Sequence, residues 1–202
     1  MRSLKESGYL SPTTIQGLTI PEVLQGKDIM ASAQTGTGKT AAFILPIIEL
    51  LRAEDKPKRY QVHSLILTPT RELAAQVEAN AKIYTKYLAI RSDAVFGGVS
   101  IRPQIKRLQG GIDILVATPG RLIDLINQKT IRFDNLKFLV LDEADRMLDM
   151  GFIRDIKKII EFLPKNRQNM MFSATFSAPI KKLALGLLQD PIEIKASIQN
   201  LS

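Results

Sequence analysis

The segment Ala33-Gln34-Thr35-Gly36-Thr37-Gly38-Lys39-Thr40 constrains this chain more than any other. It follows a short apolar run, Asp28–Ser32, and opens a longer one, Thr40–Leu51. Gly36 and Gly38 let the backbone wrap closely and turn N–H groups inward, as a phosphate cradle requires. The helix that follows offers its positive N-terminus to the same anion. Lys39 can reach β- and γ-phosphates, and the Thr40 hydroxyl can hold Mg²⁺. Ala33 stands where the general pattern has its first glycine. The bland alternative is a glycine-rich strand-to-helix turn that binds nothing. Either way, a strand, a tight loop and a buried helix must lie in succession.

The rest of the chain repeats that alternation. Apolar runs rich in β-branched residues recur at Asp28–Ser32, Ser64–Thr68, Ser92–Phe96, Ile112–Ala117, Phe138–Leu141, Asn169–Phe172 and Ile192–Ile194. Between them lie helical patterns. In Glu72–Leu88 the residues Leu73, Val77, Ala81, Tyr84 and Leu88 share one face, and in Ile153–Leu163 so do Ile156, Ile159, Ile160 and Leu163. Thr40–Leu51 is apolar almost all round, which suits burial against a sheet. Continuous apolar strands alternating with helices predict a three-layer α/β fold, with a mostly parallel twisted sheet and helices on both faces. Ligands of such sheets bind at the carboxyl ends of the strands, so the residues just after each strand should carry the chemistry.

Composition narrows the class. The 202 residues are 45% hydrophobic and 24% charged, ordinary for a globular domain. The absence of cysteine excludes a disulfide scaffold and any cysteine-based zinc site. The single His63 leaves no histidine cluster and reads as a core or surface residue. The first nine residues, MRSLKESGY, hold no apolar leader, and Ala41–Leu51 is too short to span a bilayer. A cytoplasmic protein without membrane contact is expected. Net charge is +8 and the sequence pI is about 9.7, which suits a polyanionic partner. Pairs such as Lys157-Lys158 and Lys181-Lys182 read equally well as solvated helix faces. Arg52–Gln61 reads as an exposed loop, and the tail after Ile194 as the start of a linker.

The segments after the strands meet the demand set by the fold. Asp142-Glu143-Ala144-Asp145 follows Phe138–Leu141. An acid at a strand end beside a phosphate loop can hold Mg²⁺, and the next carboxylate can orient or deprotonate a water. The alternative is that Asp142 caps the following helix. Thr70 and Arg71 follow the second strand, Gly97 and Gly98 the third, and Thr118 and Arg121 the fourth. Ser173 and Thr175 follow the sixth. Arg71 and Arg121 could bind backbone phosphates; alternatively the threonines are caps and the arginines solvated charges.

In this order, GYLSPTTIQ (Gly8–Gln16), AQTGTGKT (Ala33–Thr40), PTREL (Pro69–Leu73), GG (Gly97-Gly98), TPGR (Thr118–Arg121), DEAD (Asp142–Asp145) and SAT (Ser173–Thr175) resemble the DEAD-box RNA helicases. The resemblance spans nearly the whole chain. It implies a RecA-like P-loop domain and an ATP-dependent helicase, with Mg²⁺ as cofactor of ATP and RNA as partner. ATP binding falls to Gln16, which reads adenine, and to Ala33, Gln34, Thr35, Gly36, Thr37, Gly38, Lys39 and Thr40. Lys39, Asp142 and Glu143 carry catalysis, with Thr40 and Asp142 on the metal. Arg71, Gly98, Thr118 and Arg121 meet the RNA backbone, so little sequence preference is expected. Asp145, Ser173 and Thr175 couple hydrolysis to strand separation, the latter two by bonding to Asp145.

Two departures accompany the resemblance. The family's adenine-stacking aromatic would precede Met1, and Thr14 stands where proline is usual. The resemblance also implies a second RecA-like domain that these 202 residues do not contain. Residues 1–27 would then be an adenine-recognition region and residues 196–202 the start of an interdomain linker. An arginine finger from a partner domain is worth about 10³–10⁵ in related phosphoryl transfers, so the isolated chain, a monomer, is expected to hydrolyse ATP very slowly. A non-catalytic RNA clamp or assembly platform is the alternative function. A GTPase would carry an Asn-Lys-x-Asp segment, and the chain has none.

Overall fold

The structure is a computed structural model and describes residues 2–195. The expected linker start, residues 196–202, lies outside the described residues. Seven strands form one sheet: β1 (Ile29–Ser32), β2 (Val62–Leu67), β3 (Ser92–Val95), β4 (Ile112–Ala117), β5 (Phe138–Leu141), β6 (Gln168–Ser173) and β7 (Ile192–Lys195). Their order across the sheet is β3-β4-β2-β5-β6-β1-β7, and every pairing is parallel. Each expected strand is present within a residue or two of its predicted ends. The helices are α1 (Arg2–Glu6), α2 (Thr14–Leu24), α3 (Lys39–Leu51), α4 (Arg71–Thr85), α5 (Ile101–Leu108), α6 (Pro119–Asn127), α7 (Ala144–Asp149), α8 (Ile153–Glu161) and α9 (Ala178–Leu187).

The continuous apolar runs have the predicted cause. Every residue of β2, β4 and β5 is buried, because helices cover both faces of the sheet there. Alternate side chains enter separate cores, as the pleat dictates. Ile66, Val116, Val140, Met170 and Phe172 pack with α2, α3 and α4. Leu65, Leu115, Leu139, Leu141 and Met171 pack with α6, α7, α8 and α9. Phe43 of α3 lies 5.2 Å, centroid to centroid, from Phe172 of β6 and locks the helix after the phosphate loop to the sheet.

Three expectations need adjustment. The helix read over Glu72–Leu88 ends at Thr85. Leu88 is exposed, turned back by a bond from its N–H to the Thr85 carbonyl, so it completes no apolar stripe. The loop read over Arg52–Gln61 is mostly exposed, but Pro57 and Gln61 are buried, and Gln61 donates to Asp134 at 2.8 Å. Gly111 explains the close approach there: a β-carbon at that position would lie 2.5 Å from the Pro57 and Lys58 carbonyl oxygens. His63, left open between core and surface, is fully buried in β2. Burial depresses its pKa against the opposing pull of Asp113.

Candidate active site

The parallel register brings the carboxyl ends of the strands to one rim. Val95 lies beside Ala117, Ala117 beside Leu67, Leu67 beside Leu141, and Ser32 beside Ser173. Single backbone bonds extend the ladder beyond the strands, from Thr118 to Val95, Thr68 to Ala117, Asp142 to Leu67 and Ala33 to Ser173. Every post-strand segment singled out in the sequence therefore opens onto this edge. Those after β3, β4 and β2 occupy one half of it, and those after β5, β6 and β1 the other. The halves meet where β2 pairs with β5.

The loop Ala33–Gly38 links β1 to α3. Gly36 and Gly38 sit at φ 85° and 86°, where a side chain is strained. Gly38 is also sterically pinned, because a β-carbon there would stand 2.6 Å from Gln16 Nε2. Gln16 is buried and doubly held. Its Nε2 donates to the Gly38 carbonyl at 3.1 Å, and its Oε1 accepts from the Thr13 backbone N–H at 3.0 Å. The second contact belongs to a capping box that starts α2. One amide N–H and one carbonyl lone pair of Gln16 stay free for a ligand. Thr37 donates to the Gln34 carbonyl at 2.7 Å and closes the turn.

Lys39, the first residue of α3, is buried. Its Nζ lies 2.9 Å from Asp142 Oδ1 and 3.5 Å from Glu143 Oε1. Asp142 is not a helix cap. It is fully buried behind β5, and neither carboxylate oxygen accepts a hydrogen bond among the described residues. The 2.9 Å approach of Lys39 is thus an ion contact without hydrogen-bond alignment. Burial pushes the Asp142 carboxyl above its ordinary value, and Lys39 only partly opposes this. A buried carboxylate with no hydrogen bond, facing Lys39 at the start of α3 where Thr40 follows, fits a hard divalent cation that prefers oxygen and keeps its water and phosphate ligands. Glu143 holds a left-handed backbone at φ 54°, a strain often found at functional sites. Its Oε1 also accepts from Thr35 Oγ1 at 3.3 Å, and its Oε2 faces Arg146 Nη1 at 3.4 Å. Ala33, Thr35, Lys39, Glu143, Asp145, Arg146, Asp149 and Ala174 line a cavity of about 270 Å³. A larger cavity of about 720 Å³ lies around Lys27 and Lys137, near the amino ends of the strands and away from this chemistry.

Asp145 Oδ2 accepts from the backbone N–H groups of Ala174 and Thr175, at 3.2 and 3.1 Å, and from Thr175 Oγ1 at 3.3 Å. The expected bond to Thr175 is present. Ser173 behaves differently: its hydroxyl donates to the Thr175 carbonyl at 2.7 Å and only shapes the loop.

On the other half of the rim, Thr70 caps α4 by accepting from the Leu73 N–H at 3.2 Å. The threonine of the β2 segment is therefore the cap it could have been. Thr118 starts α6 without a side-chain cap bond, so its hydroxyl is not spent that way. Gly98, at φ 78°, lies so close to Arg71 that a β-carbon would stand 3.2 Å from Nη1. Arg121 donates from Nη2 to the Val99 carbonyl at 2.9 Å, which ties the loop after β3 to the loop after β4. Its side chain is only 10% exposed, and its Nε and Nη1 are buried without a hydrogen-bond partner. The Asp124 carboxylate lies 3.8 Å from Nε, an ion contact that leaves the hydrogen-bond capacity of both nitrogens unmet, and buried donors of this kind are costly until a partner completes them. Sequence reasoning missed Arg146, although its i,i+3 spacing from Glu143 was a signal that could have found it, and the Thr35 contact to Glu143, which depends on side-chain reach between two loops.

The profile of the DEAD/DEAH box helicases matches residues 13–183. The chain belongs to the DEAD/DEAH box helicase family. It is 46% identical over all 202 residues to the ATP-dependent RNA helicase CshA of Limosilactobacillus reuteri. It is 43% identical over the same length to the DEAD-box ATP-dependent RNA helicase RhpA of Helicobacter pylori. It spans about 40% of each of those relatives. The crystal structure of a DEAD box protein from the hyperthermophile Methanococcus jannaschii superposes with a TM-score of 0.91 at 40% identity, covering 98% of this chain and 53% of that one. The all-parallel sheet is thus the RecA-like domain of DEAD-box proteins. Among the described residues no helix is long and apolar enough to cross a membrane.

Proposed function

We propose that this domain binds ATP and RNA on adjoining halves of one rim, as the first of two domains of an ATP-dependent RNA helicase. The observation that carries the reading is the division of the strand edge, with the Lys39, Asp142 and Glu143 cluster on one side of the β2–β5 boundary and Arg71, Gly98, Thr118 and Arg121 on the other. The share of each relative that the chain covers supports a second domain outside these residues.

The residues divide the work by their chemistry. Gln16 spends its free N–H and lone pair on the adenine edge, which an amide can pair in a bidentate way. The loop Ala33–Gly38 and the start of α3 hold phosphate oxygens, and Lys39 exchanges its carboxylate contacts for the β- and γ-phosphates. Thr40 and Asp142 hold Mg²⁺, which when bound neutralises charge on the phosphates. Glu143 orients and deprotonates the attacking water. Asp145 passes the state of the site to the loop Ser173–Thr175. Arg71, Gly98, Thr118 and Arg121 follow the sugar-phosphate chain, so base sequence matters little. We propose in addition that the protein is cytoplasmic and the isolated domain a monomer.

The test is Glu143→Gln in the full-length protein that carries this domain. ATP binding should survive, and RNA-stimulated hydrolysis should fall by about 10² or more, the scale of general-base loss. Hydrolysis at the wild-type rate would remove Glu143 from the mechanism.

A further inference from the structure

Gln16 can pair an adenine edge only while its amide is held one way round. The Thr13 backbone N–H fixes Oε1, and Nε2 donates to the Gly38 carbonyl. One N–H and one lone pair then stay free. Adenine presents a donor and an acceptor, its N6 amine and N7, which suits that pair. Guanine presents two acceptors, O6 and N7. The place of the Thr13 N–H therefore bears on which base the site accepts.

Thr13 is tethered from upstream. Residues 10–14 are exposed, and the chain before them is held at Tyr9. The Tyr9 hydroxyl lies 2.7 Å from that of Tyr84, in the last turn of α4, and the two rings meet edge to face at 6.0 Å. Tyr84 is buried. Burial first, and then the bond to Tyr9, push its hydroxyl above its ordinary pKa, so it keeps its proton. Ser3 Oγ donates to the Tyr84 carbonyl at 3.0 Å. Glu6 accepts from Lys86 at 3.0 Å and from the Tyr87 hydroxyl at 2.7 Å. The segment from α1 to Tyr9 is thus fastened to the end of α4, while Thr13 and Gln16 are fastened to the phosphate loop. Leu10, Ser11 and Pro12 bridge the two, over at most about 14 Å from Tyr9 to Thr13. Pro12 fixes its own φ and biases Ser11 toward extended backbone, so the bridge absorbs little movement.

We propose that Tyr9, through its bond to Tyr84, is a positioning residue for adenine selection by Gln16. The proposal rests on the functional reading above. Without the hydroxyl pair the bridge slackens, and the Thr13 N–H no longer stays in one place at Gln16 Oε1. The amide then samples both orientations, and part of the ordering is left for the ligand to impose. The preference for adenine falls, while the phosphates keep the contacts that the loop and Lys39 supply.

The experiment measures the affinities of non-hydrolysable ATP and GTP analogues by isothermal titration, with the full-length protein that carries this domain. Tyr9→Phe keeps the ring and leaves the buried Tyr84 hydroxyl without its partner. It should lower the ratio of ATP to GTP affinity about threefold to fivefold, the scale of one hydrogen bond, with GTP affinity within about twofold. Tyr84→Phe should lower the ratio similarly. The double variant Tyr9→Phe/Tyr84→Phe should add no further loss, because both changes act on one bond. In a Gln16→Ala background, Tyr9→Phe should leave the ratio where it was. An unchanged ratio in Tyr9→Phe and Tyr84→Phe overturns the proposal. Equal losses for both nucleotides do so too, since they would make the tyrosine pair a structural tie alone. A ratio that still falls in the Gln16→Ala background would show that the effect does not pass through Gln16. A wild-type protein that binds both analogues equally overturns the functional reading of Gln16 itself and is told apart by that result.

Discussion

At the scale of single residues, Gly38 joins two parts of the proposed nucleotide site that lie far apart in sequence. Its carbonyl accepts from Gln16, its φ of 86° excludes an unstrained side chain, and its missing β-carbon leaves room for the Gln16 amide and Thr13 Oγ1. Gly36 differs, because its left-handed backbone faces open space. Gly38→Ala should therefore cost more than backbone strain, which is about 1–3 kcal/mol. It should push Gln16 out of the capping box and lower ATP affinity at least about tenfold, or about 1.4 kcal/mol. Isothermal titration with an ATP analogue, beside Gly36→Ala, checks this. A nucleotide loss no greater in Gly38→Ala than in Gly36→Ala would show that the Gln16 contact does not order the loop. Gln16, Lys39, Asp142 and Glu143 could all be picked out from their letters and spacing. What the letters withheld was side-chain commitment: Ser173 turning to Thr175, Thr35 reaching Glu143, and the unmet nitrogens of Arg121.

At the scale of elements, Asp28 shows how the sheet is tied at the end away from the chemistry. It stands just before β1, is buried, and accepts from three donors: the Asn169 backbone N–H at 2.8 Å, Asn169 Nδ2 at 3.1 Å and the Gln189 backbone N–H at 2.8 Å. One carboxylate thereby fixes the start of β1 against β6 and against the connection from α9 to β7. Asp28→Ala would strand these donors, and one or two unmet buried groups cost about 3 kcal/mol. For a domain of this size that is a fall of about 6–12 °C in melting temperature, read by circular dichroism. The KM for ATP should not move, because the residue is at the opposite edge of the sheet; a melting curve identical to wild type would mean the three bonds are not formed. Strands were legible because continuous burial leaves a continuous apolar run, as in Val62–Leu67 and Ile112–Ala117. Several helices were not. The segment α2 carries Gly17 and Pro21 and is held by its capping box and its packing on α3 rather than by a clear apolar stripe. Strand order was not legible either, since β1 enters between β6 and β7 by contacts remote in sequence.

At the scale of the whole molecule, the charge of +8 raises the question of how much of it RNA would use. Lys157, Lys158, Lys181 and Lys182 are exposed on α8 and α9, the helices of the face opposite α3 and α4. The cations that open onto the rim beside the loop after β3 are Arg71 and Arg121. Association with single-stranded RNA by about two phosphate contacts predicts a slope near −1.4 in log affinity against log salt, since each contact contributes about −0.7. Diffuse attraction to the full net charge would give a much steeper slope. Arg71→Ala should flatten the dependence by about 0.7, and it should do so equally for adenine-rich and uracil-rich strands, because phosphate contacts carry no sequence information. Replacing Lys181 and Lys182 with glutamine should leave the slope where it was. Fluorescence anisotropy across a salt series separates the cases. If the lysine pair changed the slope as much as Arg71, RNA would be following surface charge rather than the strand-edge rim, and the two-half division of that rim would lose its RNA side.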